Sequence, residues 1–392
     1  MPKRLDIEKP ALSEKSHPER AGKKIGFNRP RKIVYGLILV LALFNAIFYF
    51  FGGHTVLDSP ADLNNFSQSA LQPTPVPKKL QPRPEVIKGI YVTAHTFRLS
   101  RFKDLVALVK RTELNAMIID VKDSWNIHFD DYLRNKITEL HKENIYLIAR
   151  IVVFQDHQFA KSNPDVALKL KDGSLWSDNK KTYWTDPASR KVWDYNIEIA
   201  KKAIDYGFDE LNFDYIRFPS EKITSIIYPV YNGATPKHEI IKSFWQYLYR
   251  KLKEYDPEIV LSADLFAFNM ISEGDLGIGQ RFRDSFDVFD VAAPMIYPSH
   301  YSPGNFGFKN PAEHPYEVVY QSLVKGREQI ERYASTTSTV IRPWLQDFKM
   351  GADYNAAMIR QEIKAVYDAG FDKGWMLWNA NNVYTEGALL RE

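Results

Sequence analysis

From residue 86 onward, short apolar runs of strand length alternate with longer amphipathic stretches of helix length, and the alternation repeats eight times. The predicted strands are Ile87–Thr93, Ala116–Val121, Tyr146–Val153, Glu210–Ile216, Val260–Phe266, Val291–Tyr297, Val340–Leu345 and Gly374–Trp378. The predicted helices are Arg101–Arg111, Asp130–Glu143, Ser189–Tyr206, His238–Tyr255, Arg281–Phe286, Tyr316–Tyr333 and Asn355–Ala369. Strict alternation of this kind predicts an α/β fold, a (β/α)8 TIM barrel over residues 86–392, with a doubly wound open sheet as the alternative.

A different pattern precedes the predicted barrel. Residues 33–53 form an uncharged apolar run, which matches the ~20 residues needed to span a bilayer. Because this run leaves through Phe-Tyr-Phe-Phe and not through a small-residue cleavage site, we expect a retained transmembrane signal-anchor helix and not a cleaved signal peptide. Basic residues at 29–32 predict a cytoplasmic tail over residues 1–32 and an extracytoplasmic location for the domain. Residues 54–85 contain six prolines and are expected to form an extended linker.

Charge and composition narrow the possible functions. Residues 1–32 hold ten basic and four acidic side chains, a charge of +6, so the other 360 residues sum to −2 in a chain whose net charge is +4. A nearly neutral body gives no reason to expect nucleic-acid binding by the globular part. The absence of cysteine excludes disulfides, thiolate metal sites and cysteine nucleophiles.

The segment Phe208–Ser220, FDELNFDYIRFPS, brings one carboxylate, Asp214, to the end of the fourth predicted strand. A buried lone carboxylate costs several kcal/mol unless it is paired or used. Alternation places Asp214 and Asp264 on the lumen side of adjacent strands. Strands lie ~4.8 Å apart, which fits the ~5–5.5 Å between the two carboxyls of a retaining glycosidase. The alternative is that either carboxylate only pairs with Arg150 or Arg217.

Within this hypothesis Asp214 is the nucleophile or the stabiliser of an oxocarbenium-like state, and Asp264 is the general acid/base. Asp347, in RPWLQDF after the seventh strand, is the reserve acid. The supporting residues are Arg217, Tyr297, Arg150 and Asp120. Aromatic faces stack on sugar rings, so tryptophans near strand ends indicate a saccharide cleft. The expected sugar-binding residues are Trp125, Trp184, Trp344, Trp378 and Asn379.

Several segments resemble a bacterial glycosyl hydrolase domain family of unknown function. The longest is Trp176–Ser220, and the others are NAMIIDVKDSWNIHFD at Asn115–Asp130, IARIVVFQD at Ile148–Asp156, APMIYPSHY at Ala293–Tyr301 and GWMLWNA at Gly374–Ala380. The resemblance covers essentially residues 86–392. It implies a TIM-barrel carbohydrate hydrolase, although no reaction is established for the family in general.

A more distant similarity is to the chitinase-type glycosidases. Asp209, Asn212 and Asp214 match the acidic positions of their fourth-strand motif, and Ile216 stands where they carry the catalytic Glu. Met295 and Tyr297 match their M-x-Y sequence, and Trp378 matches their tryptophan floor. The resemblance therefore implies a related cleft that cannot run the substrate-assisted reaction with that acid.

Other classes of site fit the sequence less well. A metal-dependent amidohydrolase needs H-x-H on the first strand, where this chain has the single His95, and Asp on the eighth, where it has Asn379. No phosphate-binding G-x-x-x-x-G-K-[ST] string occurs, so no nucleotide is expected. With neither the metal-ligand pattern nor this string present, no metal or cofactor is expected. The sequence therefore predicts a membrane-anchored, extracytoplasmic glycoside hydrolase acting on a cell-surface or environmental polysaccharide. The alternative is a non-catalytic carbohydrate-binding barrel.

Overall fold

The computed structural model describes residues 79–80, 82–221, 226–334 and 337–391. Its nine strand segments are all parallel: β1 (Ile87–Val92), β2 (Ala116–Lys122), β3 (Tyr146–Val152), β4 (Glu210–Asp214), β5 (Val260–Phe266), β6 (Val291–Met295), β7 (Val340–Ile341), β8 (Trp344–Gln346) and β9 (Gly374–Trp378). Each strand pairs with its neighbours, β5 pairs with β6, and β9 pairs with β1. These pairings close the sheet, which confirms the (β/α)8 barrel and excludes the open sheet.

The seventh barrel strand is divided in two, whereas the sequence predicted one strand over Val340–Leu345. β7 pairs with β6, and β8 pairs with both β6 and β9. Pro343 stands between the two pieces and has no N–H to donate to the ladder. Its carbonyl still accepts a hydrogen bond from Met376 N at 2.9 Å, so the barrel wall stays continuous there.

Long helices cover the outside of the barrel, and short helices lie in the connections that follow β1, β3 and β5. They are α1 (Ala94–Phe97), α2 (Phe102–Lys110), α3 (Asp131–Lys142), α4 (His157–Ser162), α5 (Arg190–Tyr206), α6 (Lys237–Tyr255), α7 (Phe268–Ile271), α8 (Pro315–Tyr333) and α9 (Ala356–Asp368). Short 3-10 helices lie at Phe282–Ser285, Pro298–His300, Asn305–Gly307, Pro311–Glu313 and Glu386–Ala388. The long helices match the prediction to within about one residue. Their ends follow local chemistry: Asp130 caps α3 by accepting from Leu133 N, and Gly207 ends α5 at φ 96°.

The barrel lumen is filled by side chains and is closed at the amino-terminal ends of the strands. Leu80 packs into the lumen core beside Ile87 and Tyr146, and Leu80 N donates to Asp209 Oδ1 at 2.7 Å. Packing therefore starts upstream of residue 86, inside the predicted linker. Asp209, one of the chitinase-like positions, thus lies at this floor and not at the mouth of the barrel.

None of the helices in the described part of the chain is both long and apolar enough to cross a membrane. The predicted basic tail at 1–32, the predicted span at 33–53 and most of the linker at 54–85 lie outside the described residues.

Candidate active site

A cleft of about 330 Å³ opens at the carboxyl-terminal ends of the strands, where barrel enzymes carry their active sites. Every barrel strand, or the residue shortly after it, supplies a side chain to the lining. In order around the barrel these are Tyr91, Asp120, Arg150, Asp214, Asp264, Tyr297, Trp344 and Trp378. Seven of the eight are residues that the sequence predicted for the site, and Tyr91 is the addition.

Asp214, the last residue of β4, is held through both carboxylate oxygens. Arg150 Nη2 donates to Oδ2 at 2.5 Å, and the backbone N–H of Tyr215 donates to Oδ1 at 2.6 Å. Tyr215 has a φ of 54°, in the left-handed region that costs a non-glycine residue about 1–3 kcal/mol. The carboxylate is only 7% exposed, and that exposed part faces the cleft. The Arg150 guanidinium and the Tyr215 backbone N–H therefore fix the orientation of the carboxylate.

Asp264 lies beside Asp214 on the next strand. Phe213 pairs with Ala263, so the residues that follow them stand side by side at the top of β4 and β5. Asp264 Oδ1 accepts hydrogen bonds from Asn212 Nδ2 at 2.9 Å and from Trp344 Nε1 at 2.7 Å. Burial, and then the negative charge of Asp214, raises the pKa of Asp264 to about 8. Asp264 is therefore mostly protonated at neutral pH.

Arg150, on β3, holds the carboxylates of the neighbouring strands together. Its Nη1 donates to Asp120 Oδ1 at 2.7 Å while Nη2 binds Asp214, and its Nε lies 4.0 Å from Asp264 Oδ2. Asp120 also accepts the Tyr91 hydroxyl at 2.5 Å, and burial raises the pKa of Asp120. The guanidinium thus offsets the charge of two carboxylates in a nearly dry site.

Aromatic rings form one wall of the cleft. Tyr91 and Trp378 stack at 4.0 Å between ring centroids with 18° between their planes, and Trp344 meets Trp378 edge-on at 5.9 Å. Trp125, in the connection after β2, is half-buried and stacks on His157 at 4.2 Å. Such faces suit the flat C–H surfaces of sugar rings.

Four residues predicted for the site do not line the cleft. Trp184 is buried and donates its indole N–H to Asp178 at 2.9 Å. Asp347 accepts from Thr385 N at 2.9 Å and from Thr385 Oγ1 at 2.7 Å, and burial raises the pKa of Asp347 to about 6. The other two are Asn379, which donates to Val383 O at 2.7 Å, and Arg217.

Arg217 was expected to tune Asp214, but the cation that pairs with Asp214 is Arg150. The Arg217 guanidinium instead lies over the rings of Tyr215 and Phe266, at 5.0 and 4.6 Å, and donates to Phe218 O. Burial lowers the pKa of Arg217. The Arg217 guanidinium also interacts electrostatically with Asp214, although the ion pair of that carboxylate is with Arg150.

Sequence reasoning left four contributors out of the candidate site: Tyr91, Asn212, Lys180 and Tyr215. The alternation of side chains along each strand could have predicted Tyr91 and Asn212, because they share a face with lumen residues of their own strands. Lys180 lies in the long connection after β3, where no periodic pattern indicates direction, and it contacts the Tyr215 hydroxyl at 3.2 Å. Within the described residues, no group of three or more His, Asp or Glu side chains is arranged to hold a metal ion.

The family described as "putative glycosyl hydrolase domain" matches residues 89–384, about three quarters of the chain. The chain belongs to this family. Membership in the glycosyl hydrolase domain family agrees with the resemblance found in the sequence and with a cleft lined by carboxylates and aromatic rings. No curated protein is similar to the chain.

Solved structures with the same fold include glycosidase barrels. The glycoside hydrolase domain of PgaB (BpsB) from Bordetella bronchiseptica is 14% identical over 75% of this chain and 94% of its own, with a TM-score of 0.55. An endo-1,4-beta-D-mannanase from Thermotoga petrophila is 12% identical over 75% of this chain and 88% of its own, with a TM-score of 0.50. A hypothetical protein from Ruminiclostridium thermocellum is 35% identical over 45% of this chain and 96% of its own, with a TM-score of 0.39. At such low identities the first two show the fold alone.

Proposed function

We propose that the protein is a glycoside hydrolase that uses Asp214 and Asp264 as its carboxylate pair. The observation that carries the proposal is the contrast between two neighbouring carboxyls. Asp214 accepts from a guanidinium and a backbone N–H, whereas burial and the Asp214 charge raise the pKa of Asp264 to about 8. Carboxyls with contrasting environments divide into nucleophile and proton donor.

The first step follows from this division. Asp264 donates its proton to the glycosidic oxygen as the bond to the anomeric carbon breaks, and the Asp214 carboxylate attacks that carbon or stabilises the oxocarbenium-like state. The Asp264 proton is available on Oδ2, because Oδ1 accepts from Asn212 and Trp344. Asp264, now ionised, then takes a proton from the water that releases the sugar. The neighbouring positions of the two carboxyls on β4 and β5 favour the retaining arrangement.

The rest of the lining supplies binding. The partly exposed rings of Trp378 and Trp125 would hold sugar rings, and Asp120 would accept hydroxyl hydrogen bonds. Trp378, Trp344 and Trp125 all line the cleft, and several aromatic side chains in one cleft support a polysaccharide as substrate.

The location belongs to the same proposal. The uncharged apolar run at 33–53 and the basic residues before it support a single-span anchor with a cytoplasmic N-terminus. The barrel would then act outside the membrane on a cell-surface or environmental polysaccharide.

A second candidate is a carbohydrate-binding barrel without catalysis. The observation in its favour is that Arg150 pairs with both Asp120 and Asp214, since ion-paired carboxylates suit binding as well as chemistry. The convergence of Asp264 on the same guanidinium favours hydrolysis, because a binding site has no need of a protonated carboxyl beside an ionised one.

The experiment is an assay of the full-length protein against a panel of polysaccharides, with product detection by reducing-end release and by NMR of the anomeric protons. Asp214→Asn is expected to lose at least about 10³-fold in kcat and Asp264→Asn about 10²–10⁴-fold. Glycan cleavage at the wild-type rate by Asp214→Asn would sink the assignment. Tight glycan binding by the wild type with no cleavage would establish the second candidate.

A further inference from the structure

The peptide N–H between Asp214 and Tyr215 donates a hydrogen bond to the side-chain carboxylate of Asp214. β4 ends at Asp214, and Tyr215 adopts a φ of 54°. In this conformation the Tyr215 N–H points at Asp214 Oδ1, 2.6 Å away, while Arg150 takes Oδ2 from the other side. Relief of this positive φ by a flip of the 214–215 peptide plane would turn the N–H away from Oδ1. The hydrogen bond to the carboxylate and the unfavourable backbone conformation of Tyr215 therefore go together.

An aromatic L-residue does not take this conformation by preference, so surrounding contacts must hold it there. Tyr215 is 7% exposed. Its ring meets the edge of Trp184 at 5.6 Å, lies under the Arg217 guanidinium at 5.0 Å, and has its hydroxyl 3.2 Å from Lys180 Nζ. These contacts come from the connection after β3 and from the segment after β4, so two long loops fix one backbone angle.

We propose that Tyr215 is a positioning residue for Asp214, and that its left-handed backbone keeps the 214–215 peptide plane in the orientation that points the N–H at Oδ1. This inference rests on the proposed function, because it takes Asp214 to be the reacting carboxylate. It also gives Trp184 and Arg217 a role away from the cleft: they hold Tyr215. Strained backbone of this kind concentrates at active sites, where it supports preorganisation.

The test compares Tyr215→Asn with Tyr215→Val in the full-length protein. Both substitutions remove the ring, but Asn adopts the left-handed conformation readily and a β-branched residue does not. We expect Tyr215→Val to lose about 10²-fold in kcat, the scale of a 1 Å misplacement, with KM within about threefold of wild type. Tyr215→Asn should recover most of that loss. Equal kcat values for the two variants would overturn the proposal.

Asn144→Val is the matched control for strain. Asn144 has a φ of 57° but is exposed in the turn between α3 and β3, at the end of the barrel opposite the cleft. We expect this variant to lower the melting temperature and to leave kcat unchanged. A loss of kcat similar to that of Tyr215→Val would mean that strain acts through overall stability, and the positioning role would be wrong.

A readout without activity separates this inference from the proposed function. In crystal structures of the two variants, the bond from N–H 215 to Asp214 Oδ1 should persist in Tyr215→Asn and be absent from Tyr215→Val. A bond that is kept in both variants or lost from both contradicts the inference, whatever the assay shows. If the wild type cleaves no glycan, the proposed function fails, while the comparison of the two crystal structures still decides the role of Tyr215.

Discussion

The indole N–H of Trp344 lies 2.7 Å from Oδ1 of Asp264, so a residue of the divided seventh strand donates directly to the proposed general acid. A hydrogen bond to a carboxylate favours its ionised form, whereas burial and the charge of Asp214 favour the protonated form. The titration of Asp264 is therefore a balance of contacts from several strands.

Trp344→Phe should move the basic limb of the pH profile upward. As a general acid, Asp264 is active while protonated, so kcat/KM of the wild type is expected to fall as pH rises through about 8. Phe keeps most of the packing and removes the N–H, so the ionised form loses a donor and the fall should start at higher pH. The measurement is kcat/KM between pH 5 and 10. A basic limb that stays in place or moves downward in Trp344→Phe contradicts the assignment.

Asp264 should also make the free energy of unfolding depend on pH. Its pKa in the folded protein, about 8, lies above the ordinary value of 3.8, so between these values the folded state binds a proton that the unfolded state has lost. The contribution of Asp264 to stability is thus fully present below about pH 4 and is lost as pH rises towards 8, by an amount on the order of a few kcal/mol.

Asp264→Asn should flatten this fall. The check is denaturant unfolding of wild type and variant at several pH values. Equal slopes between pH 6 and 8 would show that Asp264 is not the titrating group. Asp347, whose pKa is about 6, contributes mainly below pH 7, and it is present in both wild type and variant.

The variant Asp347→Asn tests whether Asp347 is the general acid, as its sequence position allowed, or a structural carboxylate. Both oxygens of Asp347 accept from Thr385, away from the cleft, and an amide has one acceptor oxygen in place of two. We expect kcat within about threefold of wild type and a lower melting temperature. If Asp347→Asn is as inactive as Asp264→Asn, Asp347 is the acid after all.

Leu80→Ala tests the floor of the barrel. Leu80 is 9% exposed and packs in the lumen core, so its truncation should cost roughly 2–3 kcal/mol in the free energy of unfolding, near the lower end for Leu→Ala. Activity should be unchanged, because the cleft lies at the other end. Leu99→Ala, at a side chain 39% exposed, is the control and should have little effect. Equal losses for the two variants would contradict a closing role for Leu80.

The strands and long helices could be predicted because each carries a regular apolar period, and FDELNFD shows it clearly. The alternation of side chains along a strand also predicts which side chains face the lumen. Trp344 faces the lumen, and Asp347, an odd number of residues further on, lies on the opposite face. The ion-pair partner of Asp214 was harder to predict, because the register between β3 and β4 decides that Arg150 lies beside it. Trp184 and Lys180 belong to an irregular connection, where sequence gives no direction for a side chain.

The chain enters the barrel at Leu80, and this position affects how the cleft is presented to a substrate. Lys79 and Leu80 lie at the closed end of the barrel, and the cleft opens at the other. A bilayer anchor or a laboratory support joined upstream of residue 79 is therefore attached at the closed end of the barrel, opposite the cleft. A long, immobile glycan can then be laid across the mouth without passing between the domain and the surface that carries it.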